Sequence, residues 1–158
     1  MASAHHLSYT PFVPTPLYTR DILRLATSIP HLGRLEAPDG SAERRSAVCG
    51  SRVIVDVRMD EAGQVTELGQ EVQACALGQA SAALMGRSAV GRTPAELAAA
   101  RDGLAVWLRG DSDSPGDWPG LDALAVARAY PARHAAILIP FEAVADAATN
   151  VLQDWAAA

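Results

Sequence analysis

The chain has 158 residues, 49% of them apolar and 20% charged, which is enough for one domain with a full core and too little for two. Thirteen Arg and no Lys stand against 18 Asp plus Glu, a formal charge of −5 with the arginines scattered, so a surface for nucleic acid or an anionic membrane is disfavoured. Without lysine, a Walker A loop, the protein-kinase strand lysine, a pyridoxal Schiff base and a Schiff-base aldolase are excluded in their usual forms.

The opening, Met1 to Pro16, carries Pro11, Pro14 and Pro16, which forbid a regular helix and predict an arm ahead of a single domain over 17–158. The first thirty residues lack the apolar stretch of a secretory signal, and no later segment approaches twenty uninterrupted apolar residues; the expected compartment is the cytoplasm, with no membrane span. Leu17, Ile22, Leu25 and Ile29 define one face of a short helix closed by Pro30, followed by turn residues as far as Gly40. A strand is expected near Ala42 to Val48. From Arg52 to Met59, Val53, Val55, Val57 and Met59 alternate with Ile54, Asp56 and Arg58 as a half-buried strand requires. Asp60-Glu61-Ala62-Gly63 turns the chain into a second hairpin strand, Gln64 to Gln73. The pattern then becomes helical: Cys75 to Met85 with a break at Gly86, then a helix opened by Thr93-Pro94-Ala95-Glu96 and running to Leu108. A polar loop, Gly110 to Gly120, precedes helices over Leu121 to Tyr130 and Ala135 to Trp155. Strands first and helices after predict an α+β domain, a small three-stranded antiparallel sheet with helices packed on one face.

Chemistry concentrates at two thiols. Cys75 falls at a strand-to-helix junction, where the helix dipole and free backbone N–H groups favour a thiolate. Cys49 precedes Gly50 at the start of the hairpin, and Cys75 follows its end. The antiparallel pairing therefore predicts that the two sulfurs meet at one end of the sheet. Two cysteines are too few for a disulfide framework, and each is equally readable as a small buried apolar residue. His134, before the last helix, is a third candidate, although a lone histidine is more often a structural hydrogen-bonding group. His5, His6 and His31 lie in arm or loop. Asp111, Asp113 and Asp117 lack the spacing of an oxygen-ligand loop and read as a solvated turn. No Gly-x-Ser-x-Gly elbow, dinucleotide fingerprint or His-Glu-x-x-His motif occurs.

Several segments resemble one family, the iron–sulfur cluster assembly scaffolds IscU, SufU and the N-terminal domain of NifU. Val48-Cys49-Gly50-Ser51 and the strand after it resemble the family's Cys-Gly-Asp and strand. Ala74-Cys75-Ala76-Leu77-Gly78-Gln79-Ala80-Ser81 resembles its Gly-Cys-Ala-Ile-Ser-x-Ala-Ser helix start, the most specific match. Gly91-Arg92-Thr93-Pro94-Ala95-Glu96 and Tyr130-Pro131-Ala132-Arg133-His134-Ala135-Ala136 through Phe141 are similar to its later segments, and the likeness covers residues 20–150. The resemblance implies ligation through three cysteines, helped by the Asp after the first Cys-Gly or by a His beside the third cysteine. Here Ser51 replaces that Asp, and the third cysteine falls on Ala136, or on Ala135 if the family's His is aligned with His134. The implied site is Cys49 and Cys75 with His134 as third ligand, and Cys75 as sulfur acceptor. The implied cargo is an iron–sulfur cluster, [2Fe–2S] or another type, or zinc as in the SufU branch, or no metal at all. The implied partners are a cysteine desulfurase and other cluster assembly proteins, with a homodimer as one way to complete the ligand set. The implied role is carrier rather than enzyme. Two alternatives stand beside it: a scaffold fold kept as a metal-free interaction or regulatory module, and a zinc-assisted sulfur acceptor.

Overall fold

The computed structural model describes residues 17–47 and 50–158. The expected arm, Met1 to Pro16, lies outside the described residues. In chain order the elements are α1 (Arg20–Ala26), β1 (Gly40–Arg45), β2 (Arg52–Met59), β3 (Val65–Gln73), α2 (Ala76–Ser88), α3 (Pro94–Leu108), 3-10 segments at Leu121–Ala129 and Pro131–Arg133, and α4 (His134–Ala157). The strands form an antiparallel sheet in the order β1-β2-β3. This is the expected α+β arrangement.

Val53, Val55 and Val57 of β2 face the helical layer and are fully buried, as their alternation requires. The opposite face was expected to meet water, yet Ile54 and Asp56 are buried as well. The cause is the segment 31–35, which runs along β3 and over this second face. Gln70 N–H donates to the His31 carbonyl at 2.9 Å, and Gly33 N–H donates to the Gln70 carbonyl at 2.8 Å. A Cβ at Gly69 would lie 2.6 Å from the Gly33 carbonyl oxygen, so only glycine lets the segment come this close. Asp56 anchors it. Its carboxylate accepts from Arg34 Nε at 2.7 Å and Nη2 at 3.0 Å, from Leu35 N–H at 3.0 Å and from Ser41 Oγ at 2.6 Å.

Several element limits differ from expectation for local reasons. α1 begins at Arg20 because Thr19 Oγ1 accepts from Ile22 N–H, and it stops at Ala26, where the hydroxyls of Thr27 and Ser28 bond the carbonyls of Leu23 and Arg24. β1 is shifted toward the N-terminus and ends at Arg45, since Ser46 N–H turns to the Ser51 carbonyl and Gly50 N–H to the Ser46 carbonyl. Gly86 does not break α2. It sits inside the helix, where a Cβ would stand 2.7 Å from Gln70 Nε2 and 2.9 Å from Pro30 Cγ. Residues Leu121–Ala129 wind as 3-10 helix rather than α-helix. α3 opens as expected, on a capping box in which Thr93 Oγ1 accepts from Glu96 N–H and Glu96 returns a carboxylate to Thr93 N–H.

α4 crosses the sheet and closes the core, with Phe141 meeting the edge of Trp118 at a centroid distance of 5.3 Å. With the preceding turn it forms a 27-residue span, Pro131–Ala157. By length and composition such a span can cross a membrane, but 61% of its apolar window is buried inside the fold. Pro140 sits inside α4 and removes the N–H that would bond the Ala136 carbonyl. That carbonyl approaches α2 at Gly78, where an added Cβ would be 3.2 Å away.

Candidate functional site

The hairpin sets Arg52, the first residue of β2, opposite Gln73, the last residue of β3. Cys75 follows Gln73 by two positions, so the flanks of both thiols share one end of the sheet. Cys49 itself lies outside the described residues. Gly50, beside it, takes φ +71°, a conformation that costs glycine little. Cys75 is the N-cap of α2, with φ −66° and ψ 171°, and its carbonyl accepts from Gln79 N–H at 2.9 Å. Its thiol makes no capping bond and is half-buried. A cavity of about 490 Å³ opens here, bounded by Ser46, Gly50, Ser51 and Gln73, with Arg45 and Arg52 at its rim. Both guanidiniums bond one carboxylate oxygen of Glu43, at 2.6 Å from Arg45 Nε and 3.0 Å from Arg52 Nε. The bonds from Arg52 and then Arg45 hold the Glu43 carboxyl below its ordinary range.

The first turn of α4 lies against the first turns of α2: Ala136 abuts Gly78, and Ser81 Oγ donates to the Ile137 carbonyl. Residues 134–136 are therefore brought to the same end of the molecule as Cys75. His134 Nε2 is 2.9 Å from the Ala127 carbonyl oxygen. A carbonyl can only accept, so Nε2 is the donor of this bond and Nδ1 is the ring nitrogen left for another partner. Ala136 is fully buried, and Ser51 is buried with its carbonyl bonded to Ser46 N–H. Among the described residues no group of three or more His, Cys, Asp or Glu side chains is placed to hold a metal ion. Asp111, Asp113 and Asp117 belong to no such group. His31 lies in the segment along β3, with φ +60°.

Two side-chain clusters of the sheet lie beyond what motif and spacing show. The Glu43, Arg45 and Arg52 cluster was traceable only through the strand register, which sets Arg45 opposite Arg52 and Glu43 opposite Ile54. The Arg34–Asp56 anchor has a signal, an acidic residue in the middle of an otherwise apolar strand.

No protein-family model and no curated protein matches this sequence. Among solved structures, the N-terminal part of a nitrogen-fixing NifU-like protein from Brucella abortus is 38% identical, with a TM-score of 0.82 over 87% of this chain and 95% of that one. A protein from the thermophile Fervidobacterium islandicum AW-1, assigned as an iron–sulfur cluster assembly scaffold for the SUF system, is 20% identical. It superposes with a TM-score of 0.77 over 84% of this chain and 96% of that one, a likeness of fold.

Proposed function

The chain belongs to the iron–sulfur cluster assembly scaffold family that includes the NifU N-terminal domain and SufU, and from this premise we propose that it acts as a sulfur-accepting carrier in cluster assembly. The observation that carries the proposal is the placement of Cys75. Its half-buried thiol caps a helix N-terminus at the sheet end where the cavity and the arginine rim lie. Sulfur transfer needs a thiol that an incoming sulfur donor can reach, and this one is neither fully buried nor engaged in a capping bond. The partner is a cysteine desulfurase carrying a persulfide. The Cys75 thiolate attacks the outer sulfur, a new S–S bond forms, the donor's S–S bond breaks, and the donor leaves as a thiolate. The sulfane sulfur moves to Cys75 without net oxidation.

Cys49 and His134, the latter through Nδ1, are the further candidate ligands for an iron–sulfur cluster or zinc as cargo. Their chemistry does not complete a site within one chain. Two thiols and one imidazole nitrogen fall short of four good donors, and the buried methyl of Ala136 and the hydroxyl of Ser51 stand where the family resemblance implies a thiol and a carboxylate. The remaining ligands come from a partner thiol or a second copy. The same two positions favour a second reading, a scaffold fold kept for contact with assembly proteins and without metal. A third, zinc-assisted sulfur acceptance, meets the same shortage of ligands.

Anaerobic purification followed by iron, zinc and labile-sulfide analysis separates these readings. Iron and sulfide in the wild type that vanish in a Cys49→Ala/Cys75→Ala variant support cluster carriage, and zinc alone supports the third reading. No metal in either, with the desulfurase still bound by both, leaves the metal-free module.

A further inference from the structure

We propose that the open outer edge of β3 beside Cys75 is a docking groove for a short extended segment of the sulfur-donating partner, which pairs there as a fourth strand. The inference rests on the sulfur-acceptor reading above.

β3 is an edge strand, paired with β2 on one side only. In an antiparallel ladder the N–H and C=O of one residue point to the same side, and successive residues alternate. Gln70 points outward, since its N–H and C=O bond His31 and Gly33 rather than β2. Val72, two residues on, therefore also presents both backbone groups to the outside, and no described residue bonds them. The segment 31–33 covers the edge only opposite Gln70 before Arg34 leads it away to Asp56. Beyond it a groove of about 340 Å³ remains, with Leu32 and Gly33 at one end and Arg52 and Gln73 at the other. Leu32 is 63% exposed and offers an apolar contact at the groove's entrance.

An edge strand with an unpaired donor and acceptor is a template for another strand, and an added strand gains its affinity from main-chain bonds. The free length decides what can occupy it. Only Val72 remains outward-facing on β3 before the chain turns into α2, which is too short for edge-to-edge pairing between two copies and sufficient for a loop of two or three residues. Such a loop, running along β3 past Val72, reaches the strand end at Gln73, which Cys75 follows by two positions. The groove thus leads an extended persulfide-bearing segment to the strand end beside the thiol.

The test uses the full chain with a cysteine desulfurase supplied with L-cysteine, and inorganic polysulfide as a small donor that needs no docking. In amide hydrogen exchange, Val72 N–H is expected to exchange freely in the protein alone and about tenfold more slowly in the complex, the size of one net hydrogen bond. Val72→Pro deletes that outward donor at an edge position where proline is tolerated; it also removes a side chain that packs against the core, so its fold is checked by thermal unfolding before transfer is read. It is expected to lower sulfur transfer from the desulfurase about tenfold while polysulfide still loads Cys75. Leu32→Glu, at an exposed position, serves as the second variant and is expected to weaken transfer in the same selective way. A complex without slowed exchange at Val72, or desulfurase transfer at the wild-type rate in both folded variants, overturns the groove and leaves Cys75 as acceptor. Failure of polysulfide to load Cys75 in the wild type overturns the acceptor reading and the groove together.

Discussion

Replacing Asp56 by Asn tests how the segment 31–35 is held across the sheet. The Asp56 side chain is fully buried and accepts four hydrogen bonds, two of them from Arg34. Asn keeps one acceptor oxygen but loses the charge and turns an N–H2 toward a cation. Charge-assisted bonds contribute about 1.5–3 kcal/mol each. The Arg34 side chain is 46% exposed, so water recovers part of what it loses. The expected destabilisation at pH 7 is about 2–3 kcal/mol, or roughly 4–12 °C in Tm for a chain of this length. Burial acts to raise the Asp56 pKa, but the bonds from Arg34, Ser41 and Leu35 N–H outweigh it, and the group titrates below its ordinary value. An unfolded Asp titrates near pH 3.9. The contribution is therefore complete above about pH 4 and is lost as pH falls through the lower folded pKa. Urea unfolding of wild type and Asp56→Asn should show a constant gap from about pH 7 to 5 that narrows below about pH 4. A gap under about 0.5 kcal/mol at pH 7, or one that persists unchanged at about pH 3, refutes the anchor as described.

Cys75→Ser should separate stability from function. A serine N-cap supplies the capping bond that the thiol does not make, raising stability by about 0.5–1 kcal/mol in thermal unfolding, while sulfur loading from polysulfide is abolished. Gly86→Ala should reverse the usual sign of a helix-glycine replacement. The propensity gain of about 1 kcal/mol is outweighed by the clash with Gln70 and Pro30, giving a net loss of about 1–2 kcal/mol by urea unfolding. Thr93→Ala, which removes one half of the capping box, should cost about 1 kcal/mol in the same assay. Ala136→Cys puts a thiol at a fully buried helix crossing, so it should cost about 1–3 kcal/mol in packing and leave zinc affinity unchanged by competition titration. Zinc binding tightened about tenfold in the folded variant sinks the assignment of Ala136 to packing.

The sheet was legible because its signals are local. Val53, Val55 and Val57 alternate, Gly63 closes the turn, and the two-residue period ends at Gln73, so β2 has its expected limits and β3 falls one residue short at Val65. Burial of the second face was not legible, because it depends on a segment twenty residues upstream. Leu32 to Leu35 has no period, and its pairing with Gln70 is a tertiary fact. Gly86 misled for a similar reason: a glycine in a helical pattern reads as a break until the Gln70 amide and the Pro30 ring are known to fill the space beside it. The 3-10 winding of Leu121–Ala129 has the same apolar spacing as an α-helix over so short a stretch, and the sequence pattern does not separate the two.

At the functional end, the position of Cys75 was readable because the change of hydrophobic period marks the strand-to-helix junction. The fate of the third ligand position was not. The family resemblance presents Ala136 in place of a thiol, whereas the structure shows a residue committed to packing. Pro140 frees the Ala136 carbonyl from its own helix, Gly78 lets it approach α2, and Ser81 bonds the next carbonyl along. A thiolate ligand must face a metal and exclude other contacts, while a fully buried methyl at a helix crossing does the opposite. The contact between α2 and α4 thus holds Cys75 and His134 at one end of the fold without itself supplying a ligand.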